Sequence, residues 1–474
     1  MKKLMRPFAF ATVLGAGTLL MADTPPGGAG AKLEPPKTGT EPAKPAKPAE
    51  PLAPVKITDN KTAVKTAVQP KPLSDVVKKG LAYLVKNQQE DGGWNQGGGW
   101  RTSVDPKVGG RIEGKNVEDP SDVGNTCFAL LALFRSGNTV AAGEYKENVI
   151  KGLKFILTRI EKADKDSLYV TDVRNTQLQS KIGPYVDTFL VNLVLAEMRG
   201  SAGTEEKRLI SALEKTMNKI VKHQDANGGF ANNGGWAPTL SVGIANKSLG
   251  RARQNGVDFD QRVLDRAIAQ SKGAAEGKAM AGGAGKEAFA LGAAPGAPRS
   301  GGFASGGGMG GGDAGVRLYS LGQGAGNSQD LLNSLKADGK RAEEVLKDAK
   351  ATKEQKAKAE KLVQEYRKVE ADNEKVQSDL AKTVRDDKFV AGFGSNGGEE
   401  FLSFLNISEA LIVKGGKDWT DWDAKMTDGL GKAQDKDGSW SGQHCITGKT
   451  FCTSAALLVL MADRTQFPVD VLKK

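Results

Sequence analysis

Apolar residues recur along this chain at helical spacing, in two kinds of run. In the first kind they line a single face, as with Val76, Val77, Leu81 and Leu84, and again with Leu209, Ile210, Leu213, Met217 and Ile220. A stripe three to four residues apart marks an amphipathic helix with its other face in water. In the second kind nearly every side is apolar, as in Cys127-Phe128-Ala129-Leu130-Leu131-Ala132-Leu133 and Ala455-Ala456-Leu457-Leu458-Val459-Leu460. A helix without a polar face belongs inside a protein. The pattern predicts six such inner helices, over 122–136, 185–199, 238–252, 314–325, 400–414 and 448–463. The expected fold class is all-α.

A short segment recurs between the two kinds of run. Its copies are Gln88-Gln89-Glu90-Asp91-Gly92-Gly93-Trp94, Gln224-Asp225-Ala226-Asn227-Gly228-Gly229-Phe230 and Gln434-Asp435-Lys436-Asp437-Gly438-Ser439-Trp440. Gly394-Ser395-Asn396-Gly397-Gly398 keeps only the turn. Gln closes the amphipathic helix, and Asp/Asn-Gly supplies a turn with positive φ. The acidic or amide side chain satisfies backbone donors in that turn, while the aromatic packs over it. Alternating outer and inner helices at a repeated spacing point to a closed ring of about six helical hairpins. Gln88, Asp91, Gly92, Gly93, Trp94, Gln224, Gly228, Gly229, Phe230, Gln434, Asp437, Gly438 and Trp440 are therefore structural residues. Trp100 and Trp236, just after repeat turns, join Trp94 and Trp440 as packing residues rather than sugar platforms.

The Q-x-x-D-G-G-W pattern resembles the QW repeat of squalene–hopene cyclases and the related repeats of protein prenyltransferase β subunits. The resemblance spans about 74–272 and 389–474, and it implies an α/α toroid. It also implies where chemistry would sit. The cyclases carry D-x-D-D-T-A at the start of an inner helix, and its third position is the proton donor. Here the segment is Asp122-Val123-Gly124-Asn125-Thr126-Cys127. Gly124 stands at the donor position and has no proton to give, so cyclase chemistry of that type is not expected. The D-x-C pair of the prenyltransferase zinc site is missing as well. Val186-Asp187-Thr188-Phe189 has Phe where the Cys belongs.

The remaining candidates gather near inner-helix starts, where a ring would have its mouth. Asp122 and Asp187 are the candidate acids, with a plain alternative role as helix caps. If the two are buried together with raised pKa, the balance tips toward an enzyme; a separated, exposed pair rejects one. Tyr185, Glu399, Glu400 and His444 complete the ligand-binding candidates. No cofactor and no metal are expected; His444, Cys445 and Cys452 are the residues that would hold an ion, since imidazole and thiolate suit zinc. Export favours instead a Cys445–Cys452 disulfide.

Outside the repeats the chain changes character. Lys2, Lys3 and Arg6 precede an apolar run from Phe8 to Met21, so 1–22 has the form of a secretory signal. Residues 23–73 are rich in Pro, Ala and Lys and form a linker. Residues 273–313, including GGFASGGGMGGGDAG, are too poor in large apolar groups to order a core. They also lack the Lys-Ser/Thr of a phosphate loop. Residues 314–388 hold the sixth hairpin and a charged helical arm. Along that arm Leu362, Tyr366, Val369, Asn373, Val376 and Leu380 alternate four and three apart, a stripe for its own ring or for a coiled-coil partner.

The net charge of +11 excludes little by itself. Residues 1–73 hold eleven Lys/Arg against five Asp/Glu, more than half of that charge. The surplus left for the repeats is no nucleic-acid stripe. Aromatics are 6% and His number 2, which argues against a His-rich metal site and an aromatic-paved nucleic-acid surface. No stretch of the mature chain is apolar enough to span a membrane. The expectation is an exported periplasmic or extracellular protein. It would bind or scaffold without catalysis, through the ring cavity or mouth, on a hydrophobic or polymeric ligand, or on a protein partner through the charged helix. The alternatives are an isoprenoid cyclase or transferase with a non-standard acid, and a carbohydrate-active α/α enzyme.

Overall fold

The computed structural model describes residues 51–59, 61, 67–101, 110–111, 118–235, 237–275, 311–386 and 397–465. The signal at 1–22, most of the linker, most of the Gly-rich stretch and Trp236 lie outside the described residues. The described residues are mostly helical. The helices are α1 (Asp75–Lys86), α2 (Val123–Arg135), α3 (Lys146–Lys162), α4 (Gln177–Lys181), α5 (Val186–Met198), α6 (Glu206–His223) and α7 (Pro238–Gln254). They continue with α8 (Gln261–Ala275), α9 (Gly311–Lys347), α10 (Lys353–Val384), α11 (Glu400–Lys414), α12 (Gly416–Ala433) and α13 (Lys449–Leu460). Two antiparallel pairs of two-residue strands join Lys56–Ile57 to Val257–Asp258 and Trp100–Arg101 to Gly110–Arg111. None of the described helices is long and apolar enough to cross a membrane.

The two kinds of apolar run separate as their patterns demand. Every residue of α2 is buried, and all of α13 after Lys449. By contrast α1 buries Val77, Gly80, Leu81 and Leu84 and leaves its other face in water. The packing succession among buried helices is α2 on α5, α5 on α7, α7 on α9, α9 on α11, α11 on α13 and α13 on α2. The amphipathic helices lie on this set: α1 on α13, α3 on α2, α6 on α5, α8 on α7 and α12 on α11.

The repeat turns tie one amphipathic helix to the next. The Gln88 side chain donates to Gly92 O inside its own turn (2.7 Å) and to Asn148 O in α3 (3.0 Å). Gln434 does the same to Gly438 O and to Val76 O in α1, both at 2.9 Å. Gln224 reaches Val263 O in α8 (3.2 Å). Trp94 donates its indole N–H back to Leu84 O (2.7 Å), and Trp440 to Leu430 O (2.8 Å). Each ring then lies over a glycine of the neighbouring helix. A Cβ on Gly152 would sit 3.0 Å from Trp94, and one on Gly80 2.9 Å from Trp440. Gly92 and Gly438 both have φ of 88°, the left-handed turn that the motif needs.

The helix expected over 314–325 is far longer in the structure. α9 has 37 residues, about 55 Å at 1.5 Å per residue. Its buried face mixes Gln323, Asn327 and Asn333 with Leu318, Leu331 and Leu335, which breaks the apolar period beyond 325. Asn406 donates to Gln323 (3.2 Å) and Asn373 donates to Gln329 (3.0 Å). Glycine makes the close approach possible: a Cβ on Gly322 would meet Ser403 O at 3.0 Å. The charged helix α10 folds back along α9, and its heptad stripe is used there. Val369, Asn373 and Leu380 are buried, and Tyr366 lies against Gly339. Ala342, Ala359 and Val363 form a second small core towards the tip of this hairpin. The stripe is thus covered by the chain's own helix.

Candidate functional site

Asp122 and Asp187 start two neighbouring buried helices, α2 and α5. Asp122 caps α2: its Oδ1 accepts from the Asn125 N–H and its Oδ2 from the Asn125 side chain, both at 2.8 Å. Asp187 Oδ2 accepts from Gln179 of α4 at 2.5 Å. Both side chains converge on Gly124. A Cβ there would lie 2.7 Å from Asp187 Oδ1 and 3.6 Å from Asp122 Oδ1. Gly124 therefore leaves room for a second carboxyl. Each residue is only 3% exposed. Asp187 Oδ1 and Asn125 Oδ1 are buried without a hydrogen-bond partner. Burial, and then the Asp187 charge, push Asp122 up to about 7. Burial raises Asp187 to about 6, opposed by Gln179 and Arg174.

A second cluster lies where α11 and α13 begin. Glu399 is 1% exposed. Its Oε1 accepts from the Tyr319 hydroxyl (3.3 Å) and its Oε2 from the Ile446 N–H (3.4 Å). His444 is exposed and Cys445 half-buried, and one donor atom from each of Glu399, His444 and Cys445 lies within 4.8 Å of the others. Burial and the Glu399 carboxylate push the Cys445 thiol up to about 12. Gln177 holds the loop, donating to Cys445 O (2.6 Å) and accepting from Thr447 N (3.0 Å). Glu400 is buried beside Glu399 in sequence, and Tyr185 is half-buried, its ring 4.9 Å from Tyr169.

The thiols depart from expectation. Cys127, Cys445 and Cys452 are all free, so no Cys445–Cys452 bond is formed. Cys452 is buried, with its Sγ 3.5 Å from Ile446 O, and stays outside the donor cluster. Glu399, not Cys452, stands beside His444 and Cys445. Asp437, near them in sequence, pairs instead with Lys449 at 2.9 Å.

The opposite ends of the same buried helices hold a feature that the apolar pattern conceals. Arg135, Glu197, Lys247, Arg251, Asp330 and Glu409 form one buried ionic network. Arg135 binds Glu197 and Glu409, each at 2.7 Å. Lys247 binds Asp330 at 2.7 Å and also Glu409. Arg251 binds Glu197 and Asp330 at 3.0 Å and Glu409 at 3.4 Å. Burial alone would raise the Glu409 carboxyl, but Lys247, Arg135 and Arg251 overcome it and hold Glu409 well below the usual range. The signal was present in the sequence as single charges inside apolar helices. Such residues need partners once buried, and their helical positions place them at one level.

A void of about 20 Å³ lies between the helices above this network, lined by Phe128, Leu131, Leu190, Ile244 and Leu402 among others. That is room for about one water molecule. Among the described residues, apolar side chains and the network occupy the space between these helices. A larger hollow of about 150 Å³ opens at the surface between α10 and α11, beside Lys382, Arg385 and Asp418. Comparison with known proteins adds no relative: no protein-family model matches the chain, and no curated protein matches it.

Proposed function

We propose that this is an exported α/α toroid that acts as a binding or scaffold protein, working through its mouth rather than an enclosed cavity. The cyclic succession α2, α5, α7, α9, α11, α13 and back to α2 supports the ring. So does Gln434, which carries the last repeat turn back to α1. The observation that carries the function is the filled centre. A network of three cations and three carboxylates with a void of about 20 Å³ leaves no room for an isoprenoid. Trp94 and Trp440 are fully buried, so they pave no sugar groove.

One observation favours an enzyme as the second reading. Asp122 and Asp187 are buried together with raised pKa, the mark of a working acid pair. Against it stand their bonds at two helix starts, the Asp122 cap of α2 and the Gln179 contact of Asp187, which give both a structural role.

Native mass spectrometry of the protein from its own producing cell, beside a denatured sample, tests the proposal. The expected result is a chain cleaved near Ala22 that carries no lipid-sized mass. A stoichiometric isoprenoid on the native chain, or an N-terminus that keeps residues 1–22, contradicts it.

A further inference from the structure

We propose that Glu399, His444 and Cys445 form a binding site for a divalent ion of the zinc class. The assignment stands whether or not the buried helices close into a toroid, because it rests on three side chains and their supports. Their donor atoms lie within 4.8 Å of one another. Ligands on a tetrahedral zinc lie about 3.5 Å apart, given metal–ligand bonds of about 2.0–2.3 Å. The exposed His444 ring is the ligand with freedom to move inwards on binding. One carboxylate, one imidazole and one thiolate make a mixed donor set that suits zinc better than calcium or magnesium.

The supports hold two of the three ligands before any ion arrives. Cys445 has φ of 57°, a left-handed backbone that is uncommon outside glycine and fixes where the thiol starts. Gln177 anchors the backbone of that loop through Cys445 O, Thr447 N and Gly448 N. Gly397 pairs with His444 in an isolated bridge, and Gly398 donates to Ile446 O at 2.9 Å. The hydroxyl of Tyr319 orients Glu399 Oε1, the carboxylate contact that a metal ligand needs behind it. A Cβ on Gly397 would meet that same oxygen at 2.5 Å, so the glycine keeps the carboxylate's place clear.

Charge supplies an independent reason. Glu399 is 1% exposed, and none of the described residues forms an ion pair with it. A buried carboxylate without a counter-charge is costly, and a bound cation removes that cost. The three buried carboxylates of the ionic network each have cations; Glu399 has none among the described residues. Binding releases the Cys445 proton to solvent and forms the metal–sulfur bond in its place. Three protein ligands leave a fourth position for water or for a donor group on a partner molecule.

The test uses the full mature chain, reduced and stripped with chelator, then titrated with Co²⁺ and Zn²⁺. One equivalent of Co²⁺ should bind and give a thiolate-to-metal charge-transfer absorption that Zn²⁺ displaces. Cys445→Ser should abolish the absorption, while Cys452→Ser and Cys127→Ser keep it. His444→Ala, an exposed change that leaves folding intact, should weaken Zn²⁺ binding by about tenfold or more, as should Glu399→Gln. Absence of stoichiometric binding in the unaltered protein overturns the proposal. So does an absorption that survives Cys445→Ser, or affinity that His444→Ala leaves unchanged.

Discussion

The two ends of the buried helices handle charge in opposite ways. At their C-terminal level, Arg135, Lys247 and Arg251 meet Glu197, Asp330 and Glu409 in equal numbers, and every member is paired. At their N-terminal level, Asp122, Asp187 and Glu399 are buried without an ion pair among the described residues. The helix dipoles favour this distribution, with acids at N-termini and cations towards C-termini. They do not neutralise it. One end is therefore locked by charges that remain charged, with Glu409 held low. The other end keeps two acids that resist ionising, Asp122 at about 7 and Asp187 at about 6. The first end serves the fold; the second has chemistry in reserve.

The largest expected effect comes from breaking the locked end. Glu409→Ala leaves Arg135, Lys247 and Arg251 short of a partner inside the protein, and should cost about 3–5 kcal/mol in chemical denaturation. A loss below about 1 kcal/mol would mean that water reaches the network. Crowding the other end should cost less. In Gly124→Ala the new methyl meets Asp187 Oδ1 at 2.7 Å and Leu178 at 2.9 Å, for about 1–3 kcal/mol of overpacking. An unchanged melting midpoint would show that Asp187 and Leu178 leave Gly124 more room than these distances allow.

Asp122→Asn should do the reverse and stabilise, by up to about 4 kcal/mol at pH 8, where the native carboxylate is forced to ionise beside Asp187. The amide can also donate to Asn125 Oδ1, which has no partner. Urea denaturation at that pH reads the gain directly. Smallest of all is Glu354→Ala on the arm. Its pair with Lys358 is exposed on both sides, so the loss should stay within about 0.5 kcal/mol. That variant sets the scale against which the buried charges are judged.

The sequence was legible wherever burial and period agree. Inner helices expected over 122–136, 185–199, 238–252, 400–414 and 448–463 correspond to α2, α5, α7, α11 and α13 within a few residues. Turn chemistry was equally open, because Gly92 and Gly438 can be read only as positive-φ positions. What stayed hidden was polar and long-range. α9 buries Gln323, Asn327 and Asn333 among Leu318, Leu331 and Leu335, so polar residues interrupt the apolar period of its buried face. The ionic network joins helices up to 274 residues apart, as in Arg135 and Glu409, and no local window reports such a pairing. The same limit separates the expected set of His444, Cys445 and Cys452 from the observed one with Glu399. Adjacency in sequence favoured the second thiol, while the fold brings in the carboxylate from the start of α11.

The account depends most directly on the Asp122 carboxyl being hard to ionise in the folded state. A folded pKa raised from about 4 to about 7 means that the native chain holds a proton the unfolded chain has lost. The stability this group contributes is full below about pH 4 and is lost as pH rises through 7. Denaturation of the unaltered chain and of Asp122→Asn in parallel, at steps from pH 4 to pH 8, isolates that contribution as a difference. The account predicts that the advantage of Asp122→Asn grows steadily with pH and levels off above 7. A difference that stays constant across the whole range would show an ordinary, ionised carboxylate at this position, and would contradict the contrast between the two ends.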